Sequence, residues 1–412
     1  MLKKLTIKNF KAIQEMTIEF SPLTVLIGEN SCGKSTILQA IDFLRSAAFR
    51  DIPEYLKEKR WEFNDLKSHQ NQGQDRPIEF ITTWGFIANG SAKSIEWFLS
   101  IDKDKKWIIN EKITDNFDNR IILSFSSNGQ ANTPPFIGQI NIQSSVLKYI
   151  AGTSFNTDEI DPLFNFLSDS SNFDVLSPEK MREGKVLPYS HNIGINGEAL
   201  AYCIDKMNDK EKLQLNDTVS HLLGYKIEVQ TYNHRAKIEL LVNFIIDNKK
   251  VSIDSSHISD GLLRIIAFVV ISMEKENLFL ITENGLRLVT EDEKPISVGD
   301  KILKTGMILL DEIENGINPY LTEKIIALLR NVENLGRQII ITTHSPVILD
   351  EIKQEEIIFL WKDNTGSVHA KKFFDTDEMK QLLEALNPGE VWINLEKDEI
   401  LKRLSSEKEE NQ

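Results

Sequence analysis

Residues 28–35 have the types and the spacing needed to bind a phosphate group. They place Gly28, Gly33, Lys34 and Ser35 in the pattern G-x-x-x-x-G-K-S, directly after a short apolar run. Glycines let backbone N–H groups approach a phosphate that side chains would block, and the positive end of the following helix attracts the same anion. The lysine ammonium can reach the β and γ phosphates, and the serine hydroxyl can bind Mg²⁺. The pattern predicts a nucleotide-binding loop. Its remaining members are Glu29, Asn30, Ser31, Cys32 and Thr36.

Two adjacent acids, Asp311 and Glu312, follow a second apolar run at 307–310. Four consecutive apolar residues are typical of a buried parallel strand, and the carboxyl ends of such strands face the ligand crevice of an α/β sheet. In P-loop ATPases an acid in this place holds Mg²⁺, and the next acid can polarise the attacking water. A strand that ends in two acids is common by itself. Its position downstream of a phosphate loop favours a catalytic role.

A third apolar run, at 339–341, leads through two threonines to His344, which is followed by a serine and a proline. A histidine at the end of a buried strand could be a core residue with satisfied hydrogen bonds, or it could contact a γ-phosphate. The preceding acidic motif favours the phosphate contact.

The segment HISDGLLR at 257–264 begins an apolar helix. Ser259, Asp260 and Gly261 are typical of an ordinary helix N-cap. A serine hydroxyl and free N–H groups at a helix start can also bind an anion, and the position of this segment ahead of the acidic motif favours that second interpretation.

Composition limits the classes of protein that this chain can represent. The 412 residues carry a formal net charge of −14, which argues against a chain that coats nucleic acid by itself. This net charge does not exclude a local basic groove, or a basic groove formed by dimerisation. The longest apolar stretch, 265–273, is too short to span a bilayer. Two cysteines give no disulfide framework. We therefore expect a cytoplasmic protein that does not enter a membrane.

Hydrophobic periodicity predicts an α/β fold with four parts. Residues 1–143 would form the N-terminal part of a nucleotide-binding core, including an antiparallel β subdomain over 78–126, and 144–224 would form a helical insertion. Residues 225–375 would complete the core, and 376–412 would form a helical tail. No heptad repeat of three or more turns occurs, so no coiled coil is expected.

The four motifs together resemble those of ABC-type ATPases, in the branch that includes RecF, SMC heads and OLD nucleases. The segment LTIKNFKAIQEMTIEFSPLTVLIGENSCGKSTIL at 5–38 is similar to the start of this branch. HISDGLLR resembles its signature loop, LLDEIENGINP its Walker B and D-loop, and TTHSP its switch histidine. The resemblance implies a P-loop NTPase head of the ABC type with ATP and Mg²⁺ as cofactors.

The resemblance also implies a role for each motif. The 28–36 loop would bind ATP, Ser35 and Asp311 would bind Mg²⁺, and Glu312 would be the catalytic base. His344 would sense the γ-phosphate.

Other implied roles involve a second subunit and a further metal ligand. Residues 259–261 would close over the ATP of a second subunit in a head-to-tail homodimer, with Arg264 on the same face. A Q-loop glutamine would complete the metal site, and Gln139 and Gln143 are both candidates, of which Gln143 is favoured.

Three departures from the family pattern stand out. The signature loop has S-D-G where the family often has S-G-G, and Asn318 replaces a histidine that is common after Walker B in this branch. Residues 276–305 form an unusual insertion before Walker B.

The absence of familiar additional domains narrows the expected function. Without a coiled coil the chain does not resemble a complete SMC protein, and the residues that follow Phe374 are too few for the Toprim domain of an OLD nuclease. We predict an Mg-dependent ATPase that dimerises around ATP and regulates a separate effector, such as a nuclease, in bacterial antiphage defence, similar to the septu, PARIS and menshen ATPases.

Three other functions are considered for this chain. The alternative is a RecF-like DNA-repair ATPase that binds DNA or RNA directly. A nucleotide-gated scaffold is disfavoured by Glu312, and a P-loop kinase is disfavoured by the signature motif and the switch histidine.

Overall fold

A computed structural model of the chain describes most of its residues. These are residues 1–68, 76–88, 91–102, 107–127, 142–150, 160–186, 193–234, 237–247, 249–273, 278–282, 285–289, 306–334 and 336–405. The candidate Gln139 and most of the 276–305 insertion lie outside the described residues.

The described strands are, in chain order, β1 Leu2–Phe10, β2 Ile13–Glu19, β3 Leu23–Gly28, β4 Ile78–Ala88, β5 Ser91–Ile101, β6 Ile108–Asp115, β7 Ile121–Ser126, β8 Ser171–Phe173, β9 Ile227–His234, β10 Lys237–Ile246, β11 Lys249–Asp254, β12 Leu278–Thr282, β13 Gly285–Val289, β14 Met307–Leu310, β15 Gln338–Thr342, β16 Ile357–Lys362 and β17 Val368–Lys372.

The described α-helices are α1 Lys34–Ala47, α2 Ile52–Lys59, α3 Val146–Ile150, α4 Ile160–Ser168, α5 Pro178–Arg182, α6 Leu200–Lys206, α7 Asp209–Leu223, α8 Asp260–Ser272, α9 Thr322–Asn334, α10 Pro346–Asp350, α11 Asp377–Gln381, α12 Pro388–Asn394 and α13 Lys397–Ser405. None of the helices in the described ranges has both the length and the apolar character needed to cross a bilayer.

A six-stranded mixed sheet forms the centre of the molecule, in the order β17-β16-β3-β15-β14-β8. The pairs from β16 to β8 are parallel, and only β17 runs antiparallel to its neighbour. Parallel pairing brings the carboxyl ends of β3, β15 and β14 to one edge, with Thr342 opposite Leu26 and Leu310 opposite Ile341. The motifs that follow these strands therefore meet at that edge.

The central sheet separates two hydrophobic cores. Alternate residues of β14 point to opposite faces, so Ile308 and Leu310 pack with α8 and α9, whereas Leu309 packs with α1. The strands are buried on both faces because helices cover one side and α1 with an antiparallel sheet covers the other.

The described residues also form three antiparallel sheets. The largest has the order β2-β1-β4-β5-β6-β7, and the others are β11-β10-β9 and the β12–β13 hairpin. The predicted antiparallel strands after α1 belong to the largest sheet, and they pair with the N-terminal strand β1. The α/β class with antiparallel and mixed sheets agrees with the prediction.

The segment predicted as a helical insertion carries α3 to α7 and also one strand of the central sheet. Strand β8 pairs in parallel with β14, with Phe173 opposite Leu310. A strand of three residues has no hydrophobic period of its own, so its place is fixed by pairing with β14.

Glu111 is a buried carboxyl group in the core beneath the antiparallel sheet. It accepts hydrogen bonds from the Trp97 indole at 2.9 Å, the Val146 amide at 2.7 Å and the Ser145 hydroxyl. Burial raises its pKa to about 7, although these three donors favour the charged form. The contacts tie β6 to the start of α3.

This raised pKa predicts how stability depends on pH. The folded chain holds the Glu111 proton more tightly than the unfolded chain, so this contribution is present below about pH 4.5 and is lost as the pH rises through about 7. The change corresponds to roughly 3 kcal/mol. We expect the urea-unfolding free energy of Glu111→Gln to decline less than that of the parent between pH 5 and pH 8. Equal slopes for both proteins would contradict the prediction.

Candidate functional site

The phosphate loop begins at the fully buried strand β3 and ends at α1. Gly28 and Gly33 have φ angles of 147° and 103°, in the region that side chains disfavour. A Cβ atom at Gly28 would lie 2.2 Å from the carbonyl oxygen of Leu360 on β16. Glycine at this position is therefore required both by the turn and by the packing of the adjacent strand.

Lys34 lies in the first turn of α1 and is almost fully buried, with 6% of its surface exposed. Its ammonium donates hydrogen bonds of 2.9 Å to the carbonyl oxygens of Gly28 and Glu29. Burial lowers the pKa of Lys34, while Cys32 and the acids Asp311 and Glu312 act in the opposite direction. The lysine thus faces both the phosphate loop and the acidic motif.

Asp311 and Glu312 leave the carboxyl end of β14 and share one partner on the neighbouring strand. The Thr342 hydroxyl donates to the Asp311 carboxylate and accepts from the Glu312 amide at 2.8 Å. Glu312 has a φ angle of 49°, which costs a non-glycine residue about 1–2 kcal/mol. Backbone strain of this kind is concentrated at functional sites, where the surrounding structure holds it in place.

His344 follows β15, and its backbone is held by Glu314, a third acid of the motif that follows β14. Glu314 accepts hydrogen bonds from the His344 amide at 2.6 Å and from the Thr343 hydroxyl at 2.8 Å. Burial, and then the Lys34 charge, lower the pKa of His344. The lowered pKa favours the neutral imidazole, which can serve as a hydrogen-bond partner without adding charge.

The structure corrects the metal ligand expected at Gln143. The carbonyl of Gln143 accepts from the Ile52 amide at 2.7 Å, and the nearby Ser145 amide donates to Ala47 at the end of α1. Lys34 begins that helix, which has 14 residues and a length of roughly 20 Å. Gln143 thus lies at the far end of α1 from the phosphate loop and is not brought to the site.

Asp174 lies at the edge of the central sheet where the carboxyl ends of the parallel strands meet, the place where an additional Mg²⁺ ligand was expected. It follows β8, beside Asp311 at the end of β14. Burial raises the pKa of Asp174, Lys59 at 3.7 Å lowers it, and the charges of Asp42 and Asp311 raise it further. The sequence alone gives little sign of Asp174, because its position depends on the pairing of a three-residue strand.

Thr342 and Glu314 are functional candidates that the motif analysis missed. Both lie within the segments that carry the predicted motifs, but their roles depend on the parallel alignment of β14 and β15. That alignment pairs Leu310 with Ile341 and so places Thr342 against the two acids.

The Thr342 contacts predict that its hydroxyl positions the acidic pair. In Thr342→Val the Glu312 amide and the Asp311 carboxylate lose their common partner, so we expect the rate of ATP hydrolysis to fall about 10- to 100-fold. Thr342→Ser keeps the hydroxyl and should retain most of the rate. Phosphate release measures both variants, and parental turnover in Thr342→Val would exclude this role.

The signature segment begins α8. The Ser259 side chain caps the helix by accepting from the Leu262 amide at 3.4 Å. Gly261 packs closely on Gly316, where a Cβ atom would lie 3.1 Å from the Gly316 carbonyl oxygen. The start of α8 and the segment after β14 therefore form one surface.

Arg264 is more buried than expected for a residue of an open dimer face. Its exposed fraction is 9%, and its Nε donates to the Leu176 carbonyl at 3.0 Å. A side chain at Gly316 would collide with its guanidinium. Arg264 thus ties α8 to the segments after β8 and after β14.

The fold and the grouping of these side chains support an ATPase, and two family models match separate parts of the chain. Residues 1–180 match the family model described as "AAA ATPase domain". Residues 199–350 match the model described as "AAA domain, putative AbiEii toxin, Type IV TA system". The predicted resemblance to this group of ATPases is confirmed.

Two known proteins and one solved structure extend this comparison. The chain is 24% identical to the "Retron Vc95 probable ATPase" of Vibrio cholerae serotype O1 biovar El Tor over 397 residues, which are 86% of this chain and 72% of that protein. It is 46% identical to the "OLD nuclease" of Thermus scotoductus over 44 residues, which are 11% of this chain and 8% of that protein. These similarities support an ATPase.

The structural similarity concerns the fold alone. An SMC head, solved in complex with the C-terminal winged-helix domain of ScpA, matches with a TM-score of 0.51 and 15% sequence identity. The match covers 90% of this chain and 97% of that one.

Proposed function

We propose that the chain is an Mg-dependent ABC-type ATPase that dimerises around ATP and regulates a separate effector in bacterial antiphage defence. One observation carries the ATPase part of this proposal. Lys34 follows β3, the acids Asp311 and Glu312 follow β14, and His344 follows β15. These parallel strands end at the same edge of the sheet, where the charges of these side chains influence one another. A buried cation can hold phosphates, and two adjacent acids can bind Mg²⁺ and accept a proton from water, which are the parts that phosphoryl transfer to water uses.

The oxygen donors at this edge fit Mg²⁺. Ser35 supplies a hydroxyl, Asp311 supplies a carboxylate, and Asp174 supplies a second carboxylate beside it. Magnesium prefers such hard ligands and is commonly bound by one or two carboxylates together with substrate phosphates. When bound, Mg²⁺ would neutralise charge on the phosphates, Lys34 would orient them, and Glu312 would accept the proton of the attacking water.

The proposed dimer places residues 259–261 of one subunit against the ATP of the other. The helix start supplies N–H groups and a hydroxyl that favour an anion. The packing of Gly261 on Gly316 supports this arrangement, because the signature segment and the segment after the catalytic acids would then move together.

The regulatory part of the proposal draws on similarity to the retron ATPase and on charge. A net charge of −14 suits a protein partner better than extended contact with nucleic acid. We propose a separately encoded nuclease as the effector.

We also propose that the chain has the four parts predicted from its sequence, 1–143, 144–224, 225–375 and 376–412. Strand β8, which lies within 144–224, joins the central sheet of the ATPase core.

The partner is tested by isolating the hydrolysis-deficient Glu312→Gln chain from its native host in Mg-ATP. A stoichiometric protein with nuclease activity that is absent from an ADP control would support the switched effector. Recovery of DNA without a protein would contradict the effector and favour the repair ATPase.

A further inference from the structure

The signature segment carries an acid, Asp260, at a place where its charge opposes the proposed phosphate contact. Asp260 is the first residue of α8, and its side chain is 61% exposed. A carboxylate there competes with any outside anion for the positive helix end. The S-D-G signature therefore needs a compensating charge.

Arg182, at the end of α5, supplies that charge. Its guanidinium donates to the Asp260 carboxylate at 2.6 Å, to the Ile258 carbonyl at 2.6 Å and to the Ser255 carbonyl at 3.1 Å. The three contacts surround the turn that leads into Ser259. The arginine is itself only 24% exposed, so its position is set by packing as well as by charge.

We propose that Arg182 is a positioning residue that masks the charge of Asp260 and so makes the S-D-G segment able to accept the γ-phosphate of a second subunit's ATP. This inference rests on the proposed ATP-dependent dimer. An unmasked carboxylate repels a phosphate, and the repulsion grows as the closing interface excludes water. The Arg182–Asp260 pair leaves the helix end with its own partial positive charge.

The location of Arg182 gives this pair a second consequence. The residue lies in the segment that follows β8, and the same segment contains Asp174 beside Asp311. Arg264 also bonds to this segment, at the Leu176 carbonyl. The segment 174–182 therefore joins the end of β8, beside Asp311, to the start of the signature segment at Asp260.

The test compares dimer dissociation constants by sedimentation in Mg-ATP, with every variant made in the Glu312→Gln background. Arg182→Gln keeps a donor for the backbone carbonyls but removes the charge. We expect it to weaken each site about tenfold, and hence the symmetric dimer about 100-fold. Arg182→Lys should stay near the parent. Adding Asp260→Asn to Arg182→Gln should restore dimerisation to within about threefold, because no charge then remains to be masked.

Controls separate masking from folding. Lys180→Ala removes an exposed positive charge from the same helix and should leave the dimer constant unchanged. Thermal unfolding and ATP binding by each monomer should match the parent. A Glu312→Gln parent that stays monomeric would overturn both the proposed function and this inference. This inference alone would be overturned in two cases, both with a parent that dimerises. In the first, Arg182→Gln leaves the dimer dissociation constant unchanged. In the second, adding Asp260→Asn to Arg182→Gln does not restore that constant.

Discussion

Replacing Lys34 with alanine is expected to weaken ATP binding by about 100-fold or more while the chain stays folded. The ammonium is buried inside the phosphate loop, where its interaction with phosphate oxygens is poorly screened by water. Removal keeps the glycines of the turn but takes away a buried positive charge that interacts with the two acids. Calorimetric titration with Mg-ATP measures the loss.

The same substitution should not lower thermal stability strongly. Burial lowers the pKa of Lys34, which means that folding disfavours its charged form, and removal of the charge also removes that cost. Lys397→Ala is a matched control, because its ammonium lies 3.9 Å from the Glu29 carboxylate at the outside of the loop. ATP affinity in Lys34→Ala within threefold of the parent would exclude the loop as the nucleotide site.

Local patterns in the sequence were sufficient to predict most of the elements that position the site. The apolar runs that became β3, β14 and β15 are buried on both faces, and such runs keep their character in any parallel sheet. The glycine spacing at 28–33 predicts a turn from backbone angles alone, although Gly28 is also required by the close approach of Leu360. Apart from that contact, these features depend on residues close together in the chain.

The remaining features depend on pairing between distant segments. Strand β8 is defined by β14, more than 130 residues away, so the position of Asp174 could not be read from its neighbours. Gln143 was favoured over Gln139 as the Q-loop glutamine that the family resemblance implies, but residue type carries no information about which end of α1 it approaches. The Arg182–Asp260 pair spans 78 residues and depends on the packing of α5 against α8.

Glu312 is the residue whose conservative replacement should separate ATP binding from turnover. Glutamine has the same shape, and the hydrogen bond from residue 312 to Thr342 comes from the backbone, so the strained turn should survive in Glu312→Gln. We expect ATP affinity within about threefold of the parent. Turnover should fall about 10²- to 10⁴-fold, because an amide cannot accept the proton of the attacking water.

Loss of hydrolysis should also change the oligomeric state. If ATP closes the dimer and hydrolysis opens it, Glu312→Gln will accumulate as a dimer in Mg-ATP and remain monomeric in ADP, which light scattering after size-exclusion chromatography can distinguish. Glu323→Gln, an exposed acid in the first turn of α9, is a control for charge loss and should behave as the parent. Turnover near the parental rate in Glu312→Gln would place the base elsewhere. At the end of β14, Glu312 combines a left-handed backbone with a hydrogen bond to Thr342. If Glu312→Gln kept the parental rate, catalysis would not explain this backbone strain.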